Sequence, residues 1–252
     1  MRVSKKWKIY IITHKNIIES YYENDRDFNK DNWSFINVSD DKLCNEEWYK
    51  LYNIVDMHNL PNFKKLGSWY AETEAIYNIY KNEMHLEYDY IGFIHYDYEL
   101  KDEYGNLNIT EMINKLLEKY DLLYLSTSFG DYNARIMADP DRPNQLTGDG
   151  LNCYDYIIND YNKYYGLAEN VDEFKLNIKK NICSAFLCSR KDFTEMMRFS
   201  SFIIESGKLD MFDTEHRYRF QGGIFERYFS VFIDKLKIPF YNLELNHIYT
   251  KK

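Results

Sequence analysis

Residues 90–100 read YIGFIHYDYEL, and the character of the chain changes in the middle of this stretch. It begins as a short apolar run, in which Gly92 allows a neighbouring backbone to approach closely. It then becomes polar, with His95, Asp97 and Glu99 at alternate positions. A buried parallel strand that ends in carboxylates is a common way for an open α/β sheet to present a binding site. The stretch therefore predicts a central strand with a functional carboxyl end; the alternative is a strand that runs out into a solvated loop.

The three polar residues at the end of this strand suit a divalent cation. If the extended conformation persists, alternation places His95, Asp97 and Glu99 on one face. Two carboxylates and an imidazole on one face can hold a metal, and hard carboxylate oxygens favour Mg²⁺ or Mn²⁺.

Apolar runs and amphipathic periods alternate along the rest of the chain, which predicts an α/β fold. We expect one domain over residues 1–252, because no Pro/Gly/Ser-rich linker divides it. The sequence predicts strands near 8–13, 35–38, 90–95, 122–126, 182–188 and 240–249. It predicts helices near 45–57, 68–82, 110–119 and 191–206, and a last helix that follows two glycines and stops before Pro239.

Composition excludes several classes of function. The net charge of −8 argues against a nucleic-acid-binding face. No apolar run approaches the roughly 18–20 residues that span a bilayer, and the basic N-terminal stretch lacks the features of a signal peptide. The four cysteines show no CxxC spacing, so we expect reduced thiols and a cytoplasmic protein. The 25 tyrosines are interpreted mainly as packing residues.

Residues 127–152 have glycines, two prolines and no hydrophobic period. A long stretch of this kind inside a compact domain is usually functional or disordered, and we expect a mobile flap over the site. Arg135 and Arg142 lie in it, where they either contact phosphates or remain on the surface.

Six blocks of sequence, taken in order, carry a family resemblance. They read IYIITHK, WYAETEAIYNIYKN, YIGFIHYDYEL, DLLYLS, ICSAFLCSRKDF and HRYRFQGGIFERYFSVFI. Together, over residues 9–233, they resemble an uncharacterised-domain family of bacterial capsular and exopolysaccharide synthesis loci, whose members are regarded as GT-A-type glycosyltransferases. The resemblance implies a single Rossmann-like GT-A domain with a central mixed, mostly parallel sheet flanked by helices. It also implies a nucleotide-sugar-dependent transferase of polysaccharide biosynthesis, with a glycan or glycoconjugate as acceptor.

Individual residues match the family's motifs. The first strand ends in the motif THK, and the central strand ends in the motif HY. Glu72 matches the acidic residue of the family's second helix. The resemblance implies that donor-binding residues are Thr13, His14, Lys15, Glu72, His95 and Asp97.

One departure from the family changes the expected chemistry. Where the family has two arginines after HY, this chain has Asp97 and Tyr98, followed by Glu99. Arginines neutralise a diphosphate directly, whereas an aspartate repels it unless a metal lies between them. The substitution predicts a Mn²⁺- or Mg²⁺-dependent site with Asp97 as first ligand, Glu99 or His95 as second, and His247 as a further candidate.

Glycosyl transfer also needs a carboxylate to take the proton of the acceptor hydroxyl. Glu226, near the start of a late helix, matches the family's acid and is the candidate general base. Alternatively, Glu226 pairs with Arg219 or Arg227 and anchors the helix. Asp213 and Glu215 are further candidates.

Three hypotheses follow. The first is a glycosyltransferase, inverting and metal-dependent. The second is a non-catalytic carbohydrate-binding module on a glycosyltransferase-like fold, favoured by the altered arginine motif. The third is a metal-dependent phosphoesterase that uses His95, Asp97 and Glu99.

Overall fold

Strands from both ends of the chain join one seven-stranded sheet. The computed structural model describes residues 5–18, 22, 31–40, 46–100, 107–125, 153–168, 184–210, 220–243 and 245–248. The strands are β1 (Trp7–Thr13), β2 (Trp33–Asn37), β3 (Val55–Asp56), β4 (Tyr90–His95), β5 (Tyr98–Glu99), β6 (Leu122–Tyr124), β7 (Phe186–Ser189), β8 (Phe240–Asn242) and β9 (Asn246–His247). The order in the large sheet is β3-β2-β1-β4-β7-β6-β8, and β5 pairs with β9 in a separate two-stranded ribbon.

The sheet is mixed and mostly parallel, as predicted. β1, β2, β3 and β4 are mutually parallel neighbours, whereas β7 runs antiparallel between β4 and β6. β4 occupies the centre, and Gly92 pairs with Ile9 on one side and Leu187 on the other. A Cβ atom at Gly92 would lie 2.5 Å from the carbonyl oxygen of Phe186, which confirms the expected close approach of a neighbouring backbone.

Helices cover both faces of the sheet. They are α1 (Glu46–Leu51), α2 (Glu72–Lys81), α3 (Ile109–Leu117), α4 (Cys153–Tyr165), α5 (Arg190–Glu205) and α6 (Phe220–Leu236). Alternation along β1 divides its side chains between two cores. Tyr10 and Ile12 pack with residues of α2, α4, α5 and α6, whereas Ile9 and Ile11 pack with residues of α3.

Local sequence explains where several helices begin. Asn108 caps α3 and forms a capping box with Glu111, and the Ser189 hydroxyl accepts a hydrogen bond from the Asp192 amide at the start of α5. These two helices lie close to their predicted positions. Within the described ranges, no helix is both long enough and apolar enough to span a membrane.

Three element predictions are wrong. The predicted helix at 45–57 ends at Leu51, because Val55 and Asp56 extend and pair with β2 as an edge strand. The predicted strand at 240–249 is two short strands in different sheets. Helix α4 was not predicted, since its mixture of tyrosine, asparagine and lysine hides the apolar period. The predicted flap at 127–152 lies outside the described residues.

The tyrosines that can be placed mainly pack, as expected. Tyr161 and Tyr165 of α4 stack against each other, with ring centroids 4.7 Å apart, and both contact Phe199 of α5. Phe199 in turn contacts Tyr228 of α6 at 5.5 Å. This aromatic core fixes the three helices behind the centre of the sheet.

Candidate functional site

The carboxyl ends of β2, β1 and β4 lie side by side. The amide of Val38 donates to the Thr13 carbonyl at 2.9 Å, and the amide of Tyr96 donates to the Ile12 carbonyl at 3.0 Å. Residues that follow these parallel strands therefore meet at one edge, where open α/β sheets bind their ligands. The motifs THK and HY, about 80 residues apart in sequence, become neighbours there.

Tyr96 is the centre of this edge. The His14 ring meets the Tyr96 ring edge-on, with centroids 5.1 Å apart, and the Lys15 ammonium lies 5.7 Å from the Tyr96 centroid. The buried Thr13 fixes the turn, because its hydroxyl donates to the Lys15 carbonyl at 2.7 Å. Two exposed basic side chains are thus held beside one aromatic ring. The ammonium group of Lys15 therefore provides positive charge that can attract an anion to this edge.

The carboxylate of Glu72 faces the imidazole of His95. Glu72 is the first residue of α2, His95 is the last residue of β4, and Oε1 lies 3.5 Å from Nε2. Both side chains are mostly buried, with 11% and 14% of their surface exposed. Within the described part of the chain, His95 Nε2 has no hydrogen-bond partner. The two residues therefore form a close and mostly buried pair.

A turn interrupts the predicted alternation of His95, Asp97 and Glu99. β4 ends at His95, residues 96 and 97 form the turn, and the chain becomes extended again in β5. The spacing alone therefore does not place the three side chains on one face. Glu99 is buried, with 5% of its surface exposed. Across the described ranges, no three His, Cys, Asp or Glu side chains form a group that could hold a metal ion.

The C-terminal segment reaches the same turn. Tyr98 pairs with His247 and Glu99 pairs with Asn246 in the antiparallel ribbon. The amide of Ile248 donates to the Asp97 carbonyl at 2.9 Å. The ribbon therefore brings the backbone of His247 beside the turn that carries Asp97, although the two are far apart in sequence.

Glu226 lies in the second turn of α6, and the two glycines that were expected to precede the helix lie inside its first turn. The nearest nitrogen of Arg227 is 3.9 Å from Glu226 Oε2, at the limit of an ion pair. Glu226 and Gly222 are four residues apart and share one face of α6. Gly222 packs against the residues that precede Glu72. The face of α6 that carries Glu226 is therefore directed towards the start of α2.

A polar cluster that sequence reasoning missed lies at the ends of β2 and β3. Asp56 Oδ1 accepts hydrogen bonds from Asn37 Nδ2 at 2.9 Å and from the Tyr49 hydroxyl at 3.0 Å. Asn37 Oδ1 accepts from the Ser39 amide at 2.9 Å. The carboxylate is thus fixed next to the end of β2. The available signal was an acid at the end of a two-residue strand, which the predicted helix at 45–57 concealed.

The structure leaves several candidate residues without a description. Arg135, Arg142, Asp213, Glu215 and Arg219 lie outside the described residues, as does the side chain of His247. Thr13, His14, Lys15, Glu72 and His95 are brought together at one edge of the sheet, with Asp97 in the adjoining turn.

The comparisons with known proteins bear on the fold. No protein-family model matches the chain, and no curated protein matches it in sequence. Among solved structures, the chain is similar to the bifunctional glycosyltransferase WbbM in its apo form, with a TM-score of 0.62 and 20% sequence identity. The alignment covers 96% of this chain and 45% of WbbM, so the chain spans less than half the length of that protein. At this identity the similarity shows the fold, and the predicted GT-A-like α/β fold is confirmed.

Proposed function

We propose that the chain is a glycosyltransferase that moves a sugar from a nucleotide-sugar donor to a hydroxyl group of a glycan or glycoconjugate. The observation that carries the proposal is the placement of His14 and Lys15 beside Tyr96, and of Glu72 beside His95, at the carboxyl ends of parallel strands. The GT-A-like fold supports it, because this edge is where such sheets bind ligands.

The donor's diphosphate is assigned to the basic side of the edge. Lys15 and His14 are exposed beside Tyr96, so an anionic group can reach them without displacing packed side chains. A leaving diphosphate gains negative charge as the glycosidic bond to it breaks, and fixed positive charge stabilises that state. The nucleoside is assigned to the neighbouring ends of β2 and β3, where the Asp56 carboxylate can accept hydrogen bonds from ribose hydroxyls.

The transfer itself is proposed as a single displacement. The acceptor oxygen forms a bond to the anomeric carbon while the carbon–oxygen bond to the diphosphate breaks, and the electron pair leaves with the diphosphate. The acceptor proton passes to the carboxylate of Glu226, which acts as general base. Attack opposite the leaving group inverts the anomeric configuration.

Glu72 and His95 are assigned to the leaving-group side. The carboxylate lies 3.5 Å from Nε2 and helps to orient the ring. An imidazole held in this way is in a fixed position from which it can contact an oxygen of the donor. Removing the carboxylate is therefore expected to weaken donor binding without unfolding the sheet.

Metal dependence stays a prediction. Its proposed ligands are Asp97, Glu99 and His247, whose backbones the ribbon brings together, with His95 close by. When bound, Mn²⁺ or Mg²⁺ would act as a Lewis acid on the departing diphosphate.

The first experiment measures donor binding by thermal shift. Sugars linked to UDP, GDP, CMP and dTDP are titrated with and without Mn²⁺ on the wild type and on Lys15→Ala and Asp97→Ala. A ligand that binds only the folded state raises the unfolding midpoint as its concentration exceeds Kd. We expect one nucleotide class to raise the midpoint, with a smaller shift in Lys15→Ala. The matched control is Lys119→Ala, an exposed lysine beyond α3 at the amino edge of the sheet.

The outcomes separate the hypotheses. A shift that requires both Mn²⁺ and Asp97 supports the metal site, and a shift without metal removes it while the transferase proposal stands. Glu226→Gln should retain donor binding and lower turnover by roughly 10²–10⁴-fold. If no nucleotide sugar shifts the midpoint but oligosaccharides do, the transferase proposal is wrong and the carbohydrate-binding module takes its place.

A further inference from the structure

Ala71, the residue before Glu72, has an unusual backbone conformation. Its φ is 50° and its ψ is −131°, a region that residues with a Cβ atom rarely adopt. It joins a single 3₁₀ turn, Ser68–Tyr70, to the first residue of α2. Such a conformation costs free energy and persists only where the surroundings enforce it. The contacts of Ala71 should therefore explain what holds it.

Gly222 of α6 packs against Ala71. A Cβ atom at Gly222 would lie 2.8 Å from Ala71 Cβ and 2.9 Å from the Tyr70 carbonyl oxygen. Real Cβ atoms essentially never approach other atoms this closely, so only glycine fits. Because Gly222 has no side chain, α6 packs directly against the backbone that precedes Glu72.

Further contacts hold the same backbone from both sides. The Tyr70 hydroxyl donates to Asp210 Oδ1 at 2.9 Å, and its ring lies 5.9 Å from the ring of Phe225. On the other side, Glu74 Oε1 accepts a hydrogen bond from the Leu66 amide at 2.8 Å. The path of the chain into α2 is thus fixed by α2 itself and by α6.

We propose that Ala71 and Gly222 are positioning residues that set the Glu72 carboxylate against the imidazole of His95. The ψ angle of Ala71 sets the direction in which the chain continues into α2. A change in this angle therefore moves the backbone and the side chain of Glu72 together. His95 is fixed separately, at the end of the central strand. The catalytic relevance of the contact rests on the proposed transferase function, but the placement of Glu72 can be measured without it.

Nuclear magnetic resonance provides that measurement. The imidazole Cε1–H signals of the six histidines are recorded, and the His95 signal is assigned from its loss in His95→Gln. Glu72→Gln shows how far this signal moves when the carboxylate is replaced. We expect Gly222→Ala to move the His95 signal, because the added methyl group displaces Ala71 and hence Glu72.

Two further variants keep the test decisive. Gly223→Ala makes the same change of residue type one position along α6, about 100° round the helix axis, and should leave the His95 signal in place. Ala71→Gly removes the methyl group on the other side of the contact and adopts the same backbone angles without strain. It should fold even if Gly222→Ala does not, and it should also move or broaden the His95 signal.

Kinetics add a second readout. In a transferase assay, Gly222→Ala should lower kcat by roughly 10- to 100-fold, the range expected for a displacement of about 1 Å. The double variant Glu72→Gln/Gly222→Ala should be no slower than Glu72→Gln, because both changes act through one carboxylate. An unmoved His95 signal in folded Gly222→Ala or Ala71→Gly overturns the positioning proposal. A chain that lacks transferase activity overturns the proposed function instead, while the signals still decide the positioning role.

Discussion

Asn37 and Asp56 are joined by a hydrogen bond of 2.9 Å across the ends of two parallel strands. Asn37 ends β2, Asp56 ends β3, and the Tyr49 hydroxyl donates to the same carboxylate oxygen at 3.0 Å. Two donors thus fix one oxygen of Asp56. This arrangement holds an acceptor in a set position at the ends of β2 and β3, where the ribose of the proposed donor would be recognised.

Asp56→Asn should weaken donor binding by about tenfold, the loss expected for one hydrogen bond to a charged group. The substituted amide keeps an oxygen for Asn37 and Tyr49 but offers the ribose a donor in place of an acceptor. Thermal-shift titrations with the donor measure the change in Kd. The control is Asp121→Asn, which alters a similar tyrosine–aspartate pair, Tyr90 hydroxyl to Asp121 at 2.7 Å, at the opposite edge of the sheet. Equal affinities of the wild type and Asp56→Asn would remove Asp56 from the donor site.

Two glycines should respond differently to alanine. At Gly92 the added methyl carbon would lie 2.5 Å from the carbonyl oxygen of Phe186, within the backbone pairing of β4 with β7. We expect Gly92→Ala to lower the free energy of unfolding by about 3 kcal/mol or more. At Gly166 nothing lies within 4 Å, but φ is 66°, so alanine should cost only about 1 kcal/mol of backbone strain. Urea unfolding of both variants measures the difference, and equal losses would show that the β4–β7 contact relaxes.

Lys8 should make stability depend on pH. It is 3% exposed within β1, and its ammonium donates to the Ser34 hydroxyl at 3.0 Å. Burial lowers the pKa of Lys8 from 10.5 to about 8. Between these two values the unfolded chain binds more protons than the folded one, so stability rises with pH. Below pH 8 both states are protonated, and the cost of burying the charge is present in full.

Lys8→Met should remove this dependence. The free energy of unfolding of Lys8→Met minus that of the wild type should therefore fall as the pH rises through 8. Urea unfolding of both proteins at pH 7 and at pH 9.5 measures this difference. Burial raises the pKa of Tyr10 and Tyr70, which acts in the opposite direction at high pH, but this contribution cancels between the two proteins. Lys119→Met, which alters an exposed lysine beyond α3, should show a constant difference. A constant difference for Lys8→Met as well would contradict the prediction.

Ile248→Pro should loosen the turn that carries Asp97. Proline lacks the amide hydrogen that donates to the Asp97 carbonyl at 2.9 Å. Because one backbone hydrogen bond contributes about 1 kcal/mol, we expect donor affinity to fall by roughly fivefold. Ile248→Ala keeps the amide and serves as the control. If both variants bind the donor as the wild type does, the ribbon does not support the site.

Apolar runs predicted the strands that form the centre of the sheet. β1, β2, β4 and β6 lie at or near the short apolar runs of the sequence. A strand that is covered on both faces is apolar along most of its length, so such a run identifies it. Val55 and Asp56 were assigned to a helix because local spacing favoured one. Their pairing with β2 is a contact between distant residues that no local pattern contains.

The site was predictable only in part, because several of its contacts also join residues that are distant in sequence. The motifs THK and HY could be grouped from the family resemblance, and the parallel pairing of β1 with β4 places them together. The turn at residues 96–97, the strain at Ala71 and its contact with Gly222 depend on the packing of α6 and on the C-terminal ribbon. These features arise from tertiary contacts, so the sequence near each residue carries no sign of them.

The pairing of β5 with β9 also orders events during biosynthesis. β1, β2 and β4 leave the ribosome before β9 and can pair with one another, but the turn at Asp97 receives its hydrogen bond from Ile248 only after β9 has emerged. Contacts between residues so far apart in sequence form late, because the intervening chain must be ordered first. A nascent chain that ends before β9 would therefore contain the sheet but lack the finished turn, and the proposed donor site would be complete only when synthesis has passed this point.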